Sequence, residues 1–169
     1  MSGYARSKVN LHIAYCRELA QLARPGTADN AVASSFCLQF ELGIGFYLLE
    51  ILQVLGKKRV QIWPLSKESL NSLASQYDSP DLKELSEMSL DRESWLWRIL
   101  RRLEILRQVD SARALKGEIF QSDLETLSNS LIASSGNYPE PGFELRLMLA
   151  ELEGFESLVR RQRLGHEEY

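Results

Sequence analysis

A chain of 169 residues with 44% apolar and 25% charged residues is long enough to bury one core without metals or disulfides. Its formal charge of −3 excludes a global bias toward nucleic acid or anionic lipid. Two cysteines, Cys16 and Cys37, are too few for a disulfide scaffold, and the lack of a C-x-x-C pair argues against structural zinc or thioredoxin-like chemistry.

Helical periods run throughout, with no convincing strand alternation, so the expected class is all-α. The opening MSGYARSKVN lacks the apolar core of a signal peptide, which makes the expectation cytoplasmic. A first helix is expected from about Tyr4 to Ala23, ahead of Pro25-Gly26. A second runs from about Asp29 to Leu55, with Gly56 closing it and Lys57, Lys58 and Arg59 set against its negative end. This helix is apolar nearly all round and long enough to span a bilayer, but Glu41 and Glu50 interrupt it on opposite sides, so a central bundle helix is expected and no membrane. Gly43 and Gly45 within it imply another helix, or a ligand, coming close. VQIWPL is irregular, broken at Pro64. Ser66 caps a short helix to about Tyr77, and Ser79-Pro80 opens another to about Met88.

Asp91 is expected to cap a long helix ending near Gly117. Its stretch SWLWRILRRLEILRQ could be a nucleic-acid surface, a membrane-surface helix or the inside of a bundle. At 100° per residue, Trp95, Leu96, Ile99, Leu100, Leu103 and Leu106 fall in one sector about 140° wide, with Arg98 and Arg101 opposite and Arg102 at its edge. That is a core-facing helix with a basic outer face. Arg107 projects into the apolar sector, where it either snorkels along the core edge or partners a buried carboxylate. A buried Glu41 would need such a cation, supplied by Arg107, Arg102, Arg17 or Arg6, with Glu41 and Arg107 the candidate pair.

Ser122 and Glu125 have capping-box spacing for a helix to about Ala133. A last helix is expected from about Phe143 to Leu164, stopped by Gly165. Leu145, Met148, Leu149, Leu152, Phe155 and Val159 form one apolar stripe; Phe143, Leu147, Ala150, Gly154 and Leu158 form a second. Such a helix is either sandwiched in the core or keeps one face for a partner, a second copy of the chain included. The first helix has a similar second line in Tyr4, Leu11, Tyr15 and Leu22.

Chemistry is sparse. With two histidines and no Glu-x-x-His, the di-iron carboxylate arrangement is excluded, and no H-E-x-x-H, G-x-S-x-G, Walker loop or dinucleotide fingerprint occurs. His12 shares a helix face with Val9, Ile13 and Cys16, where a hydrogen-bonded core histidine is expected rather than a metal ligand. No cofactor, metal or catalytic residue is assigned. In RRQRLGH, four or five residues separate an arginine, Arg161 or Arg160, from His166, a spacing that resembles the motif of helical RNases of the HEPN class.

The order YARSKVNLHIAYCREL, NAVASSFCLQFELGIGFYLLEIL, DLKELSEMSLDRESWLWRILRRLEIL resembles a domain-of-unknown-function family of small all-helical gammaproteobacterial proteins. The likeness rests on Tyr4 and Arg6 in the first helix and on Ser94, Trp95 and Leu96 opening a later one, and covers roughly the first 110 residues. Where that family has a threonine-asparagine pair, Ser7 and Lys8 stand here. The resemblance implies a bacterial cytoplasmic protein and implies no activity.

The expectation for 1–169 is a single all-α helical bundle of four long helices with two or three short connecting helices. Its expected role is non-enzymatic protein–protein interaction, adaptor or regulatory, or self-association as a homodimer, through Phe143, Leu147, Ala150, Gly154 and Leu158. The alternative is a nucleic-acid-associated protein using Lys57, Lys58, Arg59, Arg98, Arg101 and Arg102.

Overall fold

The computed structural model describes residues 2–22, 30–57, 60–116 and 142–167, with side chains over 3–22, 32–57, 60–108 and 147–165. Among the described residues every regular element is helical: α1 (Ser2–Leu22), α2 (Asn30–Val54), α3 (Lys67–Gln76), α4 (Pro80–Leu90), α5 (Trp95–Lys116) and α6 (Gly142–Glu167). The helix expected over 122–133 lies outside them.

Local chemistry sets most of the boundaries. α2 ends at Gly56, whose φ is +73°. The Gly56 N–H donates to the Gln53 carbonyl at 3.0 Å and the Lys57 N–H to the Leu52 carbonyl at 2.8 Å, a closure whose left-handed residue is cheapest as glycine. Ser66 Oγ accepts from the Ser69 N–H at 3.1 Å while Ser69 Oγ accepts from the Ser66 N–H at 2.9 Å, a capping box with serine in place of the usual glutamate. Ser79 caps α4 with Pro80 in its first turn, where the missing N–H costs nothing.

Two boundaries depart from expectation. α5 is opened by Ser94, whose Oγ accepts from the Trp97 N–H at 3.0 Å. Asp91 instead closes α4, and its carboxylate accepts from the Glu93 N–H at 3.0 Å. Both side chains are cap formers, but the turn between the helices occupies the aspartate and leaves the third amide of α5 to the serine. α6 continues through Gly165 to Glu167. One glycine costs about 1 kcal/mol in a helix, and the preceding turn is anchored by Gln162 on Glu84 at 2.9 Å and by both arms of Arg163 on Glu50 at 2.7 and 2.9 Å.

One apolar core draws on all six helices and the 62–65 loop. α2 supplies Phe36, Phe40, Ile44, Tyr47, Leu48, Ile51 and Leu52 to it. α1 runs antiparallel to α2, since His12 meets Gln39 and Cys16 meets the Phe36 carbonyl. Phe40, Trp95 and Phe155 meet with ring centroids 5.3 to 5.7 Å apart, joining α2, α5 and α6. Trp95, Leu96, Ile99, Leu100 and Leu103 are all buried, so the apolar sector of α5 faces the core.

Two close approaches require glycine. A Cβ at Gly154 would lie 2.5 Å from Trp95 Cδ1, and one at Gly45 would lie 2.3 Å from Trp63 Cζ2. The neighbour of Gly45 is therefore an indole from the 62–65 loop, while Gly43 faces Phe155 of α6 and His12 of α1.

Candidate functional site

The charged residues of the interior decide which charges remain for a partner. Glu151 of α6 is 0% exposed. Arg98 Nε and Arg102 Nη1, one turn apart on α5, reach its two oxygens at 3.3 and 2.9 Å. Burial pushes the Glu151 carboxyl above the ordinary carboxylate range, with Arg102 and then Arg98 pulling it back. Nothing in the sequence reading singled out Glu151; it lies between the two apolar stripes of its helix, and that flanking was the available signal.

This arrangement bears on the basic residues considered for nucleic acid. Arg98 and Arg102 point at Glu151, Arg98 also donates to the Glu93 carbonyl at 2.7 Å, and Arg101 pairs with Glu104 at 2.8 Å. Lys57 lies over the Tyr77 ring, 5.4 Å from its centre. Lys58 and Arg59 lie outside the described residues. The charges of Arg98, Arg101 and Arg102 are thus matched within the chain.

Glu41 and Arg107 are brought together. Arg107 Nη2 donates to Glu41 Oε1, which also accepts from the Leu65 N–H at 3.2 Å, and Arg107 Nη1 donates to the Leu65 carbonyl at 2.8 Å. Both main-chain groups of Leu65 are thereby satisfied by side chains, which fixes the loop carrying Trp63. The segment Val32–Val54 has the length and apolarity of a membrane span, with 44% of its apolar window buried. Both glutamates that interrupt it, Glu41 and Glu50, pair with arginines of other helices.

His12 Nδ1 lies 2.8 Å from Gln39 Oε1 and its ring stacks on Phe46, while Cys16 faces the Phe36 carbonyl at 3.9 Å. Burial pushes the Cys16 thiol up to about 12, with Cys37 and Glu156 adding to the effect. Among the described residues no group of three His, Cys, Asp or Glu side chains could hold a metal ion. Tyr47 donates its hydroxyl to Gln162 Oε1, and burial raises the phenol above its usual value. In the RRQRLGH segment, Arg161 pairs with Glu84, Arg160 turns toward a cleft, and the His166 side chain lies outside the described residues. That cleft, about 330 Å³, runs between α1 and α6 and is lined by Arg6, Asn10, Arg17, Glu156, Arg160 and Arg163 among others. Arg17 pairs with Glu156 at 2.6 Å and Arg163 with Glu50, so much of its charge is matched as well.

The apolar faces remain. Of the α6 residues considered for a partner, Leu158 is 3% exposed and Gly154 abuts Trp95, so that part of the line is packed inside. Ala150 is exposed, Leu147 is half-buried, and the Phe143 side chain lies outside the described residues. The corresponding line on α1 is the open one: Tyr4, Leu11, Tyr15 and Leu22 are 63%, 36%, 41% and 64% exposed. At 100° per residue they project within about 40° of one another and roughly 120° from the buried positions Ala5, Val9, His12, Cys16 and Ala20. Ring contacts carry this face onto the rest of the fold. Tyr4 and His12 each meet Phe46 of α2, and Phe46 meets Trp63, with centroids 5.4 to 6.2 Å apart.

Among the described residues, fold and site together define an all-helical protein in which the buried Glu41 and Glu151 pair internally and α1 keeps an apolar face outward. No protein-family model, curated protein or solved structure matches the chain.

Proposed function

We propose that this chain is a non-enzymatic interaction protein of the bacterial cytoplasm, built as one bundle of α1, α2, α5 and α6 with α3 and α4 as short connectors, which docks a helix on the outer face of α1. The observation that carries the reading is the exposed line Tyr4, Leu11, Tyr15 and Leu22, continued by Phe46 and Trp63. Large apolar side chains in register along one helix, beside aromatic neighbours, are what a helical partner covers. The spacing of seven, four and seven residues keeps them on one seam.

The test is a pull-down with the tagged full chain at low and high salt, comparing wild type with a Leu11→Glu/Tyr15→Glu variant. A protein retained at high salt by wild type and lost with the variant supports the reading, because apolar docking resists ionic strength. Nucleic acid retained at low salt only, and lost in a Lys57→Ala/Arg101→Ala variant that leaves the Glu151 pairs intact, overturns it in favour of phosphate contacts.

A further inference from the structure

The occupant of the α1 face can be read from the charges that interrupt it. Continued at heptad spacing, the exposed line takes in Lys8 between Tyr4 and Leu11, and Glu18 between Tyr15 and Leu22. Neither Lys8 nor Glu18 forms an ion pair among the described residues; Lys8 Nζ lies over the Tyr4 ring at 5.6 Å. The seam therefore reads Tyr4, Lys8, Leu11, Tyr15, Glu18, Leu22, and it is self-complementary about Ile13. Set antiparallel against itself, Tyr4 meets Leu22, Lys8 meets Glu18 and Leu11 meets Tyr15, each pairing occurring twice.

We propose, resting on the α1 docking reading, that the partner is a second copy of this chain, bound by an antiparallel two-fold pairing of α1 with Lys8 facing Glu18 across the axis. Antiparallel seams pair each position of one kind with the other kind on the opposite helix, and the six residues fall in that order. A parallel pairing would set Lys8 against Lys8 and Glu18 against Glu18, and like charges in register are disfavoured. The helix dipoles favour the antiparallel sense as well. Gly3, Ser7 and Ala14, beside the seam and exposed, let a second helix approach without obstruction.

Sedimentation of the full chain from low to high micromolar concentration tests it, with Leu11→Glu, Lys8→Glu, Glu18→Lys and the Lys8→Glu/Glu18→Lys double variant, each checked for unchanged helix content. The expected result is a dimer lost in Leu11→Glu and weakened about tenfold or more in either single charge reversal. The double reversal is expected to restore it to within about threefold. A dimer lost in Leu11→Glu but indifferent to both single reversals overturns the antiparallel register and leaves the docking face standing. A chain monomeric at every concentration overturns self-association, and the pull-down then judges the face alone. A dimer indifferent to Leu11→Glu overturns the proposed face altogether.

Discussion

Glu151 shows most directly how one residue constrains its surroundings. Its carboxylate is shut off from solvent, and among the described residues its cations are Arg98 and Arg102. Removing both, as Arg98→Ala/Arg102→Ala, leaves an uncompensated buried charge and is expected to cost about 3–5 kcal/mol at neutral pH, read by urea denaturation. Glu151→Gln is expected to cost much less, because the arginine side chains are 31% and 32% exposed and can rehydrate. The pH dependence has a definite sign. A carboxyl whose folded pKa is raised contributes stability that is fully present below the unfolded value of about 4.3 and is lost as pH rises through the folded value. Without its arginines Glu151 is raised further, so the double variant should approach wild-type stability as the pH falls toward that range. A deficit independent of pH would mean that the arginines act through packing alone. Cys16 gives a second check at this scale. Both thiols are buried, and with the Cys16 pKa pushed up to about 12 almost no thiolate is present at neutral pH. A disulfide reagent is expected to modify neither cysteine in the folded chain and both after unfolding.

At the scale of elements, what the sequence could show depended on whether the determinant was local. The stop at Gly56, the caps at Ser66 and Ser79 and the inward sector of α5 are written in neighbouring residues, and each was legible. The opening of α5 was not, because Asp91 and Ser94 are both competent caps and the turn between them decides. Ser94→Ala is accordingly expected to cost about 1 kcal/mol, more than Asp91→Ala, in thermal or chemical unfolding. The passage of α6 through Gly165 was missed for a different reason. The ties that hold its last turn, to Glu50 on α2 and Glu84 on α4, span more than seventy residues of sequence. Gly154 illustrates the same limit: a small residue on an apolar line reads equally as a self-association seam or as a seat for an indole. Only the placement of Trp95 separates them. With that ring 8% exposed and unable to move aside, Gly154→Ala is expected to destabilise by about 1–3 kcal/mol through overpacking.

Across the whole molecule, the distribution of faces follows from how many sides each helix must cover. α2 sits against α1, α5 and α6 and is apolar nearly all round. α6 lies between α1 and α5, carrying Met148, Leu152, Phe155 and Val159 of its first stripe and Leu158 of its second inward, so its own fold uses the Gly154–Leu158 end of the second stripe while Ala150 stays exposed. Among the described residues α1 packs mainly on α2 and α6, through the buried positions and the arginine-lined flank, and its third side carries the exposed Tyr4, Leu11, Tyr15 and Leu22. Two helices with similar two-stripe patterns thus have opposite fates, and the difference is positional rather than compositional. The contrast can be measured. Leu158→Ala removes a side chain 3% exposed and should cost about 2–5 kcal/mol. Leu11→Ala, at a position 36% exposed, should cost under about 1 kcal/mol when measured at dilution, where no second chain covers it. Raising the protein concentration should then widen the Leu11→Ala deficit, because a partner that binds only the folded chain adds stability by mass action. The Leu158→Ala deficit should stay constant, since that side chain is buried within one chain whatever surrounds it.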